Sequence, residues 1–169
     1  MSDTWRDTVA DALSWAQAHV SFDTAVEDLD PGIRGVRPPD GPHSIWELVE
    51  HLRIAQADLL ADLGGEPHAD DEAAPARVWP DAYWPPSPAP ASQEAWEATL
   101  EAVARDRAAL VAIARDRTRD LSEPMPGRDG RTALRGLLLA IDHAAYHVGQ
   151  IVEVRRRLGA WSRSGTDLG

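Results

Sequence analysis

Ile141-Asp142-His143-Ala144-Ala145-Tyr146-His147-Val148-Gly149-Gln150-Ile151 sets two histidines four residues apart inside a strongly helical pattern. Four residues is just over one turn, so both imidazoles leave the same face of a helix and can reach one metal ion. A catalytic metal site usually takes three protein ligands and keeps a position open, so the third must come from another element. The candidate is His51, in Ser44-Ile45-Trp46-Glu47-Leu48-Val49-Glu50-His51-Leu52.

Outward from the histidine pair, the helix is predicted to run from Ala133, capped by Thr132, to about Leu158, with Gly159 as its stop. Leu134, Leu137, Ile141, Ala145, Val148 and Val152 make its apolar stripe. His143 and His147 fall on a second strip with Gly136, Ala140, Gln150 and Val154, too small or apolar to face open water. Gly136 and Ala140 are expected to leave room there for a substrate. Arg135, Asp142, Tyr146 and Glu153 form the polar side. Arg155, Arg156 and Arg157 are expected to complement the helix dipole, with a basic rim for an acidic substrate as the alternative. Trp161 is expected to dock in a short tail that ends at Gly169.

The helix that carries His51 starts with a reciprocal capping pair, Ser44 and Glu47, and should end at Leu63 before Gly64-Gly65. Ile45, Leu48, Val49, Leu52, Leu59 and Leu63 form its stripe. His51 falls beside it, on the side of Ser44, Glu47, Ala55 and Asp58, so it faces an edge of the core.

Two more helices follow from the same periodicity. A first one, starting after Ser2 or Asp3, uses Trp5, Val9, Ala12, Leu13, Ala16 and Val20 as its core face. Another, capped by Ser92 and reaching about Arg119, uses Trp96, Leu100, Val103, Ala104, Arg107, Leu110, Val111 and Ala114, with Asp106 and the later charges in water. Between the first two helices, Asp30 to Pro42 holds four prolines and three glycines and must be a loop. A longer loop spans Gly64 to Ala91. No helix can run through Trp84-Pro85-Pro86-Ser87-Pro88-Ala89-Pro90, and Trp79, Tyr83 and Trp84 suggest anchoring to the helices or cover over the mouth of a site. His19, His43 and His68 read as ordinary surface or loop histidines.

With 169 residues and 43% apolar side chains, residues 1–169 fit one all-α domain. No apolar run is long enough for a membrane span, and the first residues lack the pattern of a secretory signal. The expected address is the cytoplasm. Without cysteine, the chain has no disulfide, thiolate ligand or cysteine nucleophile, and thiol chemistry would need a thiol from outside. All seventeen basic residues are arginine, which excludes a lysine Schiff base. A net charge of -11 disfavours nucleic acid and anionic membrane surfaces as partners. Position 144 is alanine, so the His-Glu-x-x-His pattern of zinc peptidases is missing.

The order of these elements resembles the DinB-like (DinB/YfiT) superfamily over nearly the whole chain. The similarity is sharpest in His143-Ala144-Ala145-Tyr146-His147-Val148-Gly149-Gln150-Ile151 with Arg156, Leu158 and Gly159 downstream, and weaker in Trp46-Glu47-Leu48-Val49-Glu50-His51-Leu52. The resemblance implies a four-helix bundle with an unusual connection order, often dimeric, that binds a divalent metal through three histidines mapping onto His51, His143 and His147. It also implies enzymes acting on small molecules. Some are S-transferases or isomerases using a low-molecular-weight thiol such as bacillithiol or mycothiol, and others are described as metal-dependent hydrolases. Zinc and nickel lead as the metal, with iron and manganese as alternatives. Glu47 and Gln150 are candidates for catalytic or orienting roles. The rival expectation is a non-catalytic bundle that binds metal or dimerises.

Overall fold

The computed structural model describes residues 4–14, 18–64, 80–125 and 130–161, and within them the fold is helical, with no strand. Its helices are α1 (Thr4–Ala12), α2 (Phe22–Val26), α3 (Ile45–Asp62), α4 (Gln93–Arg115) and α5 (Ala133–Arg157). Single 3-10 turns occur at Pro31–Ile33 and Asp81–Tyr83. Four of the five helices are long enough to pack as a bundle. α3 lies against both α4 and α5, α1 lies mainly against α4, and α2 rests on α5. Among the described residues no helix is long and apolar enough to cross a membrane.

Local chemistry fixes the helix ends. Ser44 Oγ accepts from Glu47 N while the Glu47 carboxylate accepts from Ser44 N, so two otherwise orphaned donors are satisfied at the start of α3. Ser92 and Thr132 cap α4 and α5 through the same side-chain contact to the third residue on. Gly64 and Gly159 follow the last turns of α3 and α5 with φ of +74° and +69°, a conformation glycine reaches without a Cβ clash. α3 and α5 therefore begin and end where capping chemistry predicts.

α1 and α4 depart from expectation. α1 stops at Ala12 rather than continuing towards Val20, and Phe22–Val26 forms a separate short helix; Ala16 lies outside the described residues. Trp5 is 45% exposed, and Arg6, Ala10 and Leu13 face inward instead. Arg6 is drawn in because its guanidinium donates to the carbonyls of Ala114, Asp116 and Arg119 at the far end of α4. That end comes at Arg115, four residues early, because Asp116 turns to extended backbone and accepts from the Thr118 N–H and hydroxyl. Asp106, expected in water, is buried on the inner face of α4 beside Thr99, Val103 and Leu110.

Two apolar clusters fill the interior. One gathers Phe22, Ile45, Trp46, Leu48, Val49, Leu52, Trp96, Val103, Val148 and Ile151. The other gathers Ala10, Leu13, Leu60, Leu63, Leu110, Leu121, Leu137 and Ala140 at the opposite end of α3. On α5 the buried face centres on Gly136, Ala140, Ala144, His147 and Ile151, while Leu134, Ile141 and Ala145, expected in the stripe, are half-buried. Leu137, Val148 and Val152 of the expected stripe are buried, and small residues let the α3 backbone come close, so the strip bearing the histidines turns inward beside them. Gly136 leaves no room for a substrate, since a Cβ there would sit 3.0 Å from Leu63 Cδ2.

Arg155 also departs from the dipole reading. It is buried, and it donates to the carbonyls of Ala25, Glu27 and Ala160, tying α2 and the start of the tail to α5. Trp161 docks over its guanidinium, 4.9 Å from the ring centroid.

Candidate metal centre

α3 and α5 carry all three expected ligands to one point. His143 Nε2 lies 3.1 Å from His51 Nε2 and 3.1 Å from His147 Nε2, and the ligand atoms of the three lie within 4.8 Å of one another. His51 comes from the inward edge of α3 and is only 2% exposed. His143 and His147 stand one turn apart on α5, the second buried and the first half-buried. A metal with about 2.05 Å bonds to nitrogen in tetrahedral geometry would hold its ligands about 3.3 Å apart. The two separations from His143, both 3.1 Å, match that span, and the third ligand pair lies within 4.8 Å, so the three rings could hold a small divalent ion.

The outer nitrogens support the same orientation. His51 Nδ1 donates to the Tyr83 carbonyl at 2.8 Å, and His147 Nδ1 donates to Gln150 Oε1 at 2.6 Å. A proton on each Nδ1 leaves the Nε2 of His51 and His147 as bare lone pairs, both aimed at His143 Nε2. One proton on His143 can serve only one of these contacts well. A cation satisfies all three lone pairs together, and outer partners of this kind are how proteins fix the tautomer of a ligating histidine.

Burial, first of all, and then the neighbouring imidazoles push His143 down to about 4 and His147 down to about 3; burial likewise lowers His51. The rings are therefore neutral at physiological pH, as ligands must be.

Trp84 covers the His51 ring. Its indole lies 4.1 Å from the imidazole centroid at an interplanar angle of 8°, and its other face stacks on His43 at 3.8 Å and 5°. His43 is thus half-buried in an aromatic stack rather than an ordinary loop residue, and burial lowers its pKa. Of the two readings of the long loop, anchoring to the helices holds for Tyr83, which bonds to Asp58, and for Trp84, which packs on the core, and Trp84 in addition covers one face of His51. Trp79 and His68 lie outside the described residues, and His19 is exposed as expected.

Glu47, the candidate base, bonds to the Arg37 guanidinium and to the Ser44 N–H, while the His51 outer nitrogen goes to Tyr83. Arg37 and the capping bonds hold its carboxyl below the ordinary carboxylate range against the opposing effect of burial. Gln150 does reach the site, through His147. Tyr146 sets its ring edge-on against His147 at 5.0 Å, and its hydroxyl accepts from Gln150 Nε2 at 3.3 Å. Asp58 accepts from the Tyr83 hydroxyl at 2.6 Å.

Two contributors were invisible to helical periodicity: the Tyr83 carbonyl, which is backbone, and His43, which reaches the site only through the folding of two loops.

The sequence profile of the DinB superfamily matches residues 14–151, a span containing all three histidines. The chain belongs to the DinB superfamily. No curated protein and no solved structure matches it.

Proposed function

We propose that this protein is a divalent-metal-dependent enzyme that transfers an external thiol onto a small electrophilic molecule, with His51, His143 and His147 as the metal ligands. The observation that carries the reading is the convergence of three neutral imidazoles whose outer nitrogens are engaged elsewhere. A divalent ion held by neutral ligands keeps its full charge and supplies Lewis acidity, lowering the pKa of a thiol or water beside it. His51 and His147 are orientated by Tyr83 and Gln150, and Trp84 shields one flank of the site from water.

Thiol transfer is favoured over hydrolysis by the company the histidines keep. A hydrolase gains from a carboxylate base within reach of the attacking water. Of the carboxylates near the ligands, Glu47 and Asp58 are bonded to Arg37 with Ser44 and to Tyr83, and exposed Asp142, whose charge is felt by His143, leaves α5 about 100° round the helix from that ligand, on the polar side. With no cysteine in the chain, the sulfur must arrive with a cosubstrate. The test is to load untagged protein with zinc or nickel and follow thiol consumption with a panel of thiols and electrophiles. Thiol-dependent product formation is expected. Water-only turnover would select hydrolysis, and stoichiometric metal without turnover would select the binding module.

For the homodimer implied by family resemblance, we propose a contact surface on α5. Leu138 and Leu139 are exposed side by side, with Arg135 and Asp142 flanking them on the same strip. Neither charge forms an ion pair among the described residues. Two such helices laid antiparallel about a twofold axis between the leucines bring Arg135 of each copy level with Asp142 of the other.

A further inference from the structure

We propose that Trp84 is a positioning residue for the metal centre, and that the segment Pro80–Pro90, not α3 itself, sets the orientation of the third ligand; this rests on the metal reading above. His143 and His147 come from successive turns of one helix and are aligned by it. His51 arrives alone, and its ring is held by two consecutive residues of another segment. The Tyr83 carbonyl accepts a hydrogen bond from its Nδ1–H, which fixes the tautomer and the direction of Nε2. Trp84 lies flat on its face and stops the ring from turning about its bond to the chain. His43 closes the far side of the indole, so Trp84 is a filled layer in a three-ring stack and offers neither face to a substrate.

The segment is itself fastened at three places. The Tyr83 hydroxyl donates to Asp58, about two turns beyond His51 on α3, and Ser44 Oγ donates to the Pro88 carbonyl at 2.5 Å. Ala89 packs so closely on Gly35 that any Cβ there would collide with it. It is thus pinned to the start and to the last third of α3, with the Trp84 indole held between the two over His51. A strap anchored in this way has a purpose beyond filling space, because the face it covers belongs to a ligand whose direction decides whether three nitrogens or two reach the ion.

The experiment compares the wild type, Trp84→Leu and Trp84→Phe as full-length untagged protein. Zinc affinity is measured by competition with a chromophoric chelator, and the visible bands of the cobalt form are recorded. Trp84→Leu is expected to weaken zinc binding about 10-fold or more, within the range seen when an outer partner of a ligand is lost, and to alter the cobalt bands. Trp84→Phe, which keeps a flat ring in the stack, is expected to restore both. Equal affinity and superimposable cobalt spectra for Trp84→Leu and the wild type would overturn the proposal, as would a loss that Trp84→Phe fails to restore. Should Trp84→Leu not fold, His43→Ala carries the test by removing only the outer layer; an affinity loss of about 2- to 5-fold is expected, and none would overturn it. A wild type that binds neither ion would refute the metal reading itself, a result distinguishable from failure of the clamp.

Discussion

His51 and His143 point their Nε2 atoms at each other across 3.1 Å, although 92 residues separate them in the chain. Neither helix alone can make this contact, so it is the tertiary fold that creates the site. Replacing any one of His51, His143 or His147 with Ala should leave two ligands and weaken metal binding by more than about 100-fold, beyond the usual cost of losing an outer hydrogen-bond partner. Elemental analysis of untagged, dialysed variants checks this. Full occupancy in the His51→Ala protein would show that α3 supplies no ligand.

Gln150 tests the tautomer argument. It accepts from His147 Nδ1 at 2.6 Å, so Gln150→Leu should lower metal affinity about 10-fold while the melting temperature of the metal-free protein changes little. Chelator competition and a thermal melt on the same sample separate the two effects. Unchanged affinity would mean that His147 is held by packing alone.

Proton competition at the site should begin later than for free histidine. In the unfolded chain the rings titrate near about 6.5. In the fold, burial and neighbouring imidazoles push His143 to about 4 and His147 to about 3. Between about 6.5 and about 4 the unfolded chain takes up protons that the folded chain refuses, so metal-free protein should lose stability as pH falls through that window. A double variant, His143→Gln with His147→Gln, should lose distinctly less over the same range. Urea titrations at pH 7, 5.5 and 4.5 decide it, and parallel curves for the two proteins would contradict it. For the same reason bound zinc should be retained at about pH 5.5 and released on approach to about pH 4.

Arg155 offers a prediction about stability alone. Its replacement by Met keeps the aliphatic stem but strips donors from the carbonyls of Ala25, Glu27 and Ala160. A loss of about 2–4 kcal/mol is expected, since acceptors left buried without partners are costly. Chemical denaturation measures it, and a variant within about 0.5 kcal/mol of the wild type would show that the carbonyls find other donors.

The exposed strip on α5 makes the assembly testable. Sedimentation equilibrium should find a dimer for the wild type and a monomer for Leu138→Arg combined with Leu139→Arg. Arg135→Glu alone should weaken the pairing, by setting like charges opposite each other. A wild type that is monomeric at about 100 µM, where a micromolar interface would be filled, would remove this surface as the dimer contact.

What the sequence made legible followed from local rules. The limits of α3 and α5 could be read from Ser44 with Glu47, from Thr132, and from Gly64 and Gly159, because capping depends on residues within a turn of each other. His143 and His147 could be paired from their spacing alone, and the inward edge of α3 singled out His51. The failures were tertiary in origin. Arg155 read as a complement to the helix dipole, and Arg6 drew no reading at all, because nothing local shows that distant backbone carbonyls await them. Asp106 read as solvated for the same reason. Trp84 and His43 lie in loops whose path depends on long-range contacts such as Ala89 on Gly35, so their stack on His51 left no periodic trace.

The packing of Leu63 against Gly136 works as an alignment pin. Leu63 lies twelve residues after His51, and His147 lies eleven after Gly136, on helices that run in opposite directions from that contact. At 1.5 Å per residue the two arms are about 18 and 16.5 Å long, matched to within a single residue's rise. A bulkier residue at position 136 that levered α3 along α5 by one turn, about 5.4 Å, would carry His51 out of range of both partners. The hydrogen bonds of each helix would survive, but the trio of imidazoles would no longer meet.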